Sequence, residues 1–208
     1  MGRYLKYSLV TVVLVFAYFV LRSGSPDLLP VPKNGVILAF GDSLTKGYGT
    51  VEQNSYPAVL DKLLSQKVIN DGVSGETTGE GLKRFEASLN KYRPDLVLLM
   101  EGGNDILRKY DLSKTKQNLA DMIELAQSRN IQVVLLAVPD KSITLSPPDF
   151  YFELADQYGL VIEKDIIGDL MTQREYKSDQ IHFNQAGYSK IAHAVFSLLA
   201  DKGAIVAD

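Results

Sequence analysis

A chain of 208 residues, 46% hydrophobic and 23% charged, is long enough for one domain with a sizeable core and favours one domain over two. This composition excludes low-complexity disorder, and a net charge of -3 with no basic run gives no sign of a nucleic-acid partner. There is no cysteine, which removes disulfides, thiolate catalysis and cysteine metal sites. The two histidines, His182 and His193, make a multi-histidine metal centre hard to build. Any histidine general base must be one of them, and no metal or organic cofactor is expected.

Residues Tyr7 to Leu21 (YSLVTVVLVFAYFVL) carry no charge, with Arg3 and Lys6 before them and Arg22 after. The run reads as an apolar helix, either a membrane anchor or a secretory signal spanning residues 1–22. Its terminal tyrosines suit a bilayer interface, and the only small-residue cleavage pattern is Ser23-Gly24-Ser25. The excess of positive charge before the run predicts a cytoplasmic N-terminus. The remainder then lies outside the cytoplasm, periplasmic if anchored and secreted if residues 1 to about 25 are removed. Residues 23–34 (SGSPDLLPVPKN) hold three of the eight prolines and read as a linker to a domain over 35–208.

From Gly35 onward, short apolar runs alternate with helical patterns. The runs are Val36 to Phe40, Lys67 to Asn70, Leu96 to Met100, Ile131 to Val138 and Leu160 to Ile162. Continuous apolarity of this kind fits strands covered on both faces of a parallel sheet. Helices are predicted over Tyr56 to Ser65, Thr78 to Lys91, Ser113 to Arg129, Asp149 to Tyr158 and Gln185 to Asp201. The alternation predicts an α/β domain, a three-layer α/β/α architecture with about five parallel strands. In such sheets ligands sit beyond the carboxyl ends of the strands.

Four segments stand at those ends or at a helix start. Gly41-Asp42-Ser43-Leu44 follows the first strand, and its serine either presents a hydroxyl at the sheet edge or caps a helix. Val73-Ser74-Gly75-Glu76-Thr77 follows the second and can turn a backbone N–H toward that serine. Gly102-Gly103-Asn104-Asp105 follows the third; it is either a plain turn or a close backbone approach offering a side-chain amide. Asp179-Gln180-Ile181-His182 precedes the last helix, with a carboxylate placed to orient an imidazole, or else a surface loop. Together they supply nucleophile, base, orienting acid and donors. Asp42 and Asp105 either support the neighbouring loop backbone or are solvated turn acids. His193, within the last predicted helix, reads as structural or surface.

The blocks GDSLTKGYG, NDGVSGETT, EGGND and DQIHFNQAGY, in this order, resemble those of the SGNH, or GDSL, hydrolases, close to the bacterial thioesterase/lysophospholipase/arylesterase branch. The resemblance covers Val36 to the C-terminus and implies a flavodoxin-like SGNH fold. It implies Ser43 as nucleophile, Asp179 and His182 as its partners, and an oxyanion hole from the Ser43 and Gly75 N–H groups and the Asn104 side chain. Phe183 departs from the proline that many relatives carry after the histidine.

The expected activity is hydrolysis of acyl esters or thioesters, lysophospholipids included, through an acyl-enzyme. Leu107, Tyr110, Ile143, Leu145 and Phe150 are expected to offer apolar area for the acyl chain, or else to pack onto the sheet. The alternatives are a carbohydrate O-acetyl esterase or acyltransferase with the same triad, and a non-catalytic envelope binding protein.

Overall fold

The five apolar runs form five strands: β1 (Val36–Gly41), β2 (Lys67–Gly72), β3 (Leu96–Met100), β4 (Gln132–Leu136) and β5 (Val161–Glu163). Every residue of β3 is buried, as the uninterrupted sequence LVLLM requires of a strand with no solvent face. The computed structural model describes residues 27–140 and 145–205. The strands pair in parallel in the order β2-β1-β3-β4-β5. This is the three-layer α/β/α arrangement expected, with strand ends within one or two residues of prediction.

Eight α-helices occur among the described residues. They are α1 (Ser43–Lys46), α2 (Tyr56–Leu63), α3 (Thr78–Tyr92), α4 (Gly103–Leu107), α5 (Leu112–Gln127), α6 (Asp149–Tyr158), α7 (Ile166–Met171) and α8 (Gln185–Asp201). On one face of the sheet α2 packs with α8; on the other, α5 packs with both α3 and α6. Local signals start these helices. Ser55 Oγ accepts from Ala58 N–H at the head of α2, Glu80 reaches back to Thr77 N–H at α3, and Asn184 accepts from Gly187 N–H at α8.

The stretch predicted as a linker is docked along the part described, residues 27–34. Leu28 N–H and Val31 N–H donate to the carbonyls of Lys202 and Ala204. Leu29 exchanges two hydrogen bonds with the Gln132 amide, and Val31 is buried. Its prolines fit an extended strap that needs few internal donors. The apolar run before it, and the helix predicted there, lie outside the described residues. No described helix is long and apolar enough to cross a membrane.

Candidate active site

Ser43, Gly75 and Asn104 stand just beyond the carboxyl ends of β1, β2 and β3, so parallel pairing brings three separate loops to one edge. The loop before α8 adds His182. Ser43 Oγ lies 3.0 Å from His182 Nε2, and His182 Nδ1 lies 2.8 Å from Asp179 Oδ2. Asp179 Oδ1 accepts the N–H groups of Ile181 and His182 at 2.7 and 2.8 Å, which fixes the carboxylate against the ring. Burial pushes the Asp179 carboxyl up, but these N–H groups and the imidazole outweigh it and hold it at about 2. The Tyr48 ring lies 4.5 Å from that of His182, centroid to centroid.

Phe183 carries the imidazole loop into the core. It is fully buried, meets the Tyr188 ring edge-on at 5.9 Å, and bridges to Lys177. His193 lies elsewhere, exposed on α8, with Nδ1 2.7 Å from the Ser189 carbonyl.

The donor side is built on two glycines with positive φ. Gly75 has φ +81° and lines the cavity beside Ser43. The next carbonyl, its own, accepts from Arg108 Nη2 at 2.9 Å. Gly102 has φ +106°, and a Cβ there would meet Tyr151 Oη at 2.6 Å, so only glycine lets α4 begin where Asn104 faces the site. Ser43 is the first residue of α1, where an N–H has no intrahelical acceptor.

Both flanking aspartates are buried rather than solvated. Asp105 holds three elements together: Oδ2 accepts Thr78 N–H at 2.9 Å, and Oδ1 accepts the hydroxyls of Thr78 at 2.7 Å and Thr115 at 3.3 Å. Asp42 Oδ1 accepts Leu44 N–H at 2.9 Å, and Oδ2 accepts Asn104 Nδ2 at 3.1 Å. Burial drives the Asp42 carboxyl up to about 7 against the Leu44 hydrogen bond, with Glu76 and Asp105 adding like charge.

Ser43, His182, Gly75 and Asn104 line one cavity of about 340 Å³. Its apolar wall comes from Leu44, Tyr48, Ile106, Leu107, Val138, Pro139, Met171 and Ile181. Of the residues expected to take an acyl chain, Leu107 is on this wall. Three others require correction. Tyr110 is exposed beside a neighbouring groove with Leu112 and Asp140, because the chain leaves α4 before reaching it. Phe150 is buried in the core against Tyr151, since it faces inward at the start of α6. Leu145 does not line this cavity; its carbonyl lies against Gly168 in α7. Ile143 lies outside the described residues.

The sequence model of the GDSL-like Lipase/Acylhydrolase family matches residues 39–190. The chain belongs to this family. It is 33% identical to an arylesterase of Vibrio mimicus over 153 residues, 69% of this chain and 76% of that protein. It is 34% identical to Thioesterase 1/protease 1/lysophospholipase L1 of Escherichia coli K12 over 104 residues, 49% of this chain and 50% of that one. Among solved structures, AlinE4, an SGNH-hydrolase family esterase, is similar with a TM-score of 0.61 and 29% identity, covering 82% of this chain and 97% of that one. The esterase EstA from Pseudoalteromonas sp. shares the fold at a TM-score of 0.73 and 22% identity, covering 81% and 98%.

Sequence reasoning missed several groups of this GDSL-like hydrolase. Glu76 pairs with Arg84 through Nε at 2.7 Å and Nη2 at 2.6 Å, and Arg84 Nη1 reaches Asp71 Oδ2 at 2.7 Å. The Glu76 carbonyl accepts Asn104 Nδ2 at 2.8 Å, while Glu101 is wholly buried beside it. The signal was present in the acids inside the blocks NDGVSGETT and EGGND, but an isolated Glu in a loop reads as solvated.

Proposed function

We propose that this enzyme hydrolyses esters of apolar acyl groups through an acyl-enzyme on Ser43. The observation that carries the reading is the Ser43–His182–Asp179 chain of hydrogen bonds, at 3.0 and 2.8 Å, in a cavity with an apolar wall. Serine is a weak nucleophile until a base takes its proton. His182 Nε2 takes the Oγ proton as Oγ bonds to the acyl carbon, then gives it to the departing oxygen. Water resolves the ester, again losing its proton to His182, and Ser43 recovers its own. Asp179 accepts Nδ1–H, which keeps Nε2 free as the base and stabilises the imidazolium.

The negative charge that develops on the acyl oxygen is met by the N–H groups of Ser43 and Gly75 and by Asn104 Nδ2. The relatives named as arylesterase and as thioesterase and lysophospholipase support ester and thioester chemistry. An acetylxylan esterase of Geobacillus stearothermophilus, 32% identical over 61% of this chain and 60% of that one, is also similar. A sugar leaving group needs polar partners in the cleft, whereas Ile106, Leu107, Val138 and Met171 offer none. The cavity therefore favours the apolar acyl ester.

A fluorophosphonate probe and a p-nitrophenyl ester series of rising acyl length test the reading together. The probe is expected to label Ser43 alone and the ester series to be turned over. Labelling that persists in Ser43→Ala would remove Ser43 as nucleophile.

The run Tyr7 to Leu21 is proposed to tether the enzyme to a membrane, with the catalytic domain outside the cytoplasm. Residues 27–34 join the domain at the amino ends of the strands, beside Gln132 and Lys202. A tether there directs the cavity away from the lipid. Resistance of the full chain to carbonate extraction supports it, and a mature N-terminus near Ser25 would show cleavage instead.

A further inference from the structure

Glu101 directly follows β3 and begins the loop that presents Asn104. Its side chain is wholly buried. Oε2 accepts the N–H of Gly102 at 3.2 Å, but no donor reaches Oε1 among the described residues. The donors nearby are committed elsewhere. Arg84 spends Nε, Nη1 and Nη2 on Glu76 and Asp71, and Tyr151 Oη donates to the Glu101 carbonyl at 2.6 Å rather than to its carboxyl.

What faces Glu101 Oε1 is another acid. Glu101 Oε1 and Glu76 Oε2 each lie 3.5 Å from the point that a Cβ on Gly81 would occupy. Two carboxylates cannot bond to one another, because both only accept. Glu76 has Arg84 as counterion; among the described residues no cation pairs with Glu101. A buried charge without a partner is the costlier of the two to keep, so the proton belongs on Glu101.

We propose that Glu101 is a neutral carboxylic acid that donates its proton to the Glu76 carboxylate, and that this bond positions Asn104 for the oxyanion. The route is short. Glu76 offers its carbonyl to Asn104 Nδ2 at 2.8 Å, and Glu101 is joined to Asn104 through Gly102 and Gly103. Locking the two glutamates together therefore fixes the acceptor and the loop at once. Neutrality also keeps a second buried negative charge away from the oxygen on which charge develops. Around Glu101 stand Asp42 from the end of β1, Glu76 after β2 and Tyr151 on α6. Burial drives the Glu101 carboxyl well up, and the charges of Asp42 and Glu76 add to this.

Glu101 is a positioning residue, and the proposal rests on Asn104 serving the ester reaction as proposed above. The test uses the full chain at neutral pH. The native-minus-Glu101→Gln infrared difference spectrum is expected to contain the carbonyl band of a protonated carboxylic acid. Glu101→Ala is expected to lower kcat by about 10- to 10²-fold with KM little changed, as a displaced catalytic amide would. Glu101→Gln, which can donate from its amide to Glu76, is expected to restore most of that loss. No protonated band, or a Gln variant as poor as the Ala variant, would overturn the proposal. If Glu101→Ala does not fold, the band and the Gln variant still decide. Asn104→Ala is measured in parallel. If it keeps native kcat, the oxyanion reading itself fails and takes this positioning role with it; if it loses kcat while Gln fails to rescue, only the role of Glu101 is overturned.

Discussion

Asn104 donates its side-chain amide to the buried Asp42 carboxyl oxygen at 3.1 Å, while the same nitrogen donates to the Glu76 carbonyl at 2.8 Å. Both amide protons are thus engaged before substrate arrives, and the longer bond is the one that faces a competing acceptor. As charge grows on the acyl oxygen, the proton shared with Asp42 is drawn to it, which makes the contact strongest in the transition state. Asn104→Ala is therefore expected to lower kcat by about 10²–10³-fold with little change in KM. It also strips partners from Asp42 and Glu76, so unfolding free energy should drop by about 1–3 kcal/mol. A normal kcat with raised KM would make Asn104 a ground-state binding group.

The two histidines separate cleanly in the structure. His182 sits between Ser43 and Asp179, whereas His193 is exposed on α8 with Nδ1 against the Ser189 carbonyl of its own helix. His182→Ala is expected to cost several orders of magnitude in kcat. His193→Ala is expected to stay near native activity and stability, being a surface change. Steady-state kinetics on one p-nitrophenyl ester compares them, and equal losses would remove His182 as the base.

The strands could be read from the sequence because residues such as Leu96–Met100 are buried on both faces, which leaves an uninterrupted apolar run. The residues proposed to react were legible as a set because each follows a strand or precedes a helix within a distinctive block. The cavity wall was not. Val138 and Ile181 come from two different loops and Met171 from the end of α7, and which apolar residue faces the cavity depends on how the chain leaves each element. Phe150, chosen for its apolarity, belongs to the core for that reason. Glu76 and Glu101 were invisible as a pair because their burial arises only when β1, α3 and the Asn104 loop close over them.

Stability should tilt with pH through Asp42 and Asp179 in opposite senses. The Asp42 carboxyl rises from 3.8 to about 7 in the fold, so the native state holds a proton that the unfolded chain releases. That contribution is complete below 3.8 and is lost as pH climbs through about 7. The Asp179 carboxyl falls from 3.8 to about 2, so its contribution is present above 3.8 and is lost as pH falls through about 2. Its side chain is 45% exposed, and solvent screening makes this the weaker tilt. Urea midpoints across this range should show a shallower decline toward neutral pH in Asp42→Asn than in the native chain. An identical slope would mean that Asp42 does not hold the proton.

The cavity wall sets an expectation for acyl length. Leu107 lies on the wall and is exposed, while Val138 on the same wall is buried. Adding bulk at a buried wall position excludes long chains before short ones. Val138→Phe is expected to raise KM for longer p-nitrophenyl esters while the acetate ester is turned over nearly as before. Equal losses across the series would place the acyl chain elsewhere.

Phe183 ties the chemistry to the core. It follows His182 directly, is fully buried, and packs edge-on against Tyr188 of α8. Its neighbours complete the clamp: Ser178 N–H donates to the His182 carbonyl at 3.0 Å, and Asn184 N–H to the Tyr176 carbonyl at 2.9 Å. The imidazole is therefore placed by an aromatic ring on one side and by Asp179 on the other. Phe183→Ala should cost about 3–5 kcal/mol, the usual range for removing a buried aromatic side chain. Because the void lies one residue from the base, the Ser43–His182 distance should relax as well, and kcat should fall more than stability alone explains. Phe183→Leu refills much of the space and should recover both. Urea unfolding and kcat on the folded fraction measure the two effects separately. A Phe183→Ala chain that is destabilised but turns over substrate at the native rate would show that Asp179 and the loop backbone place His182 without the ring.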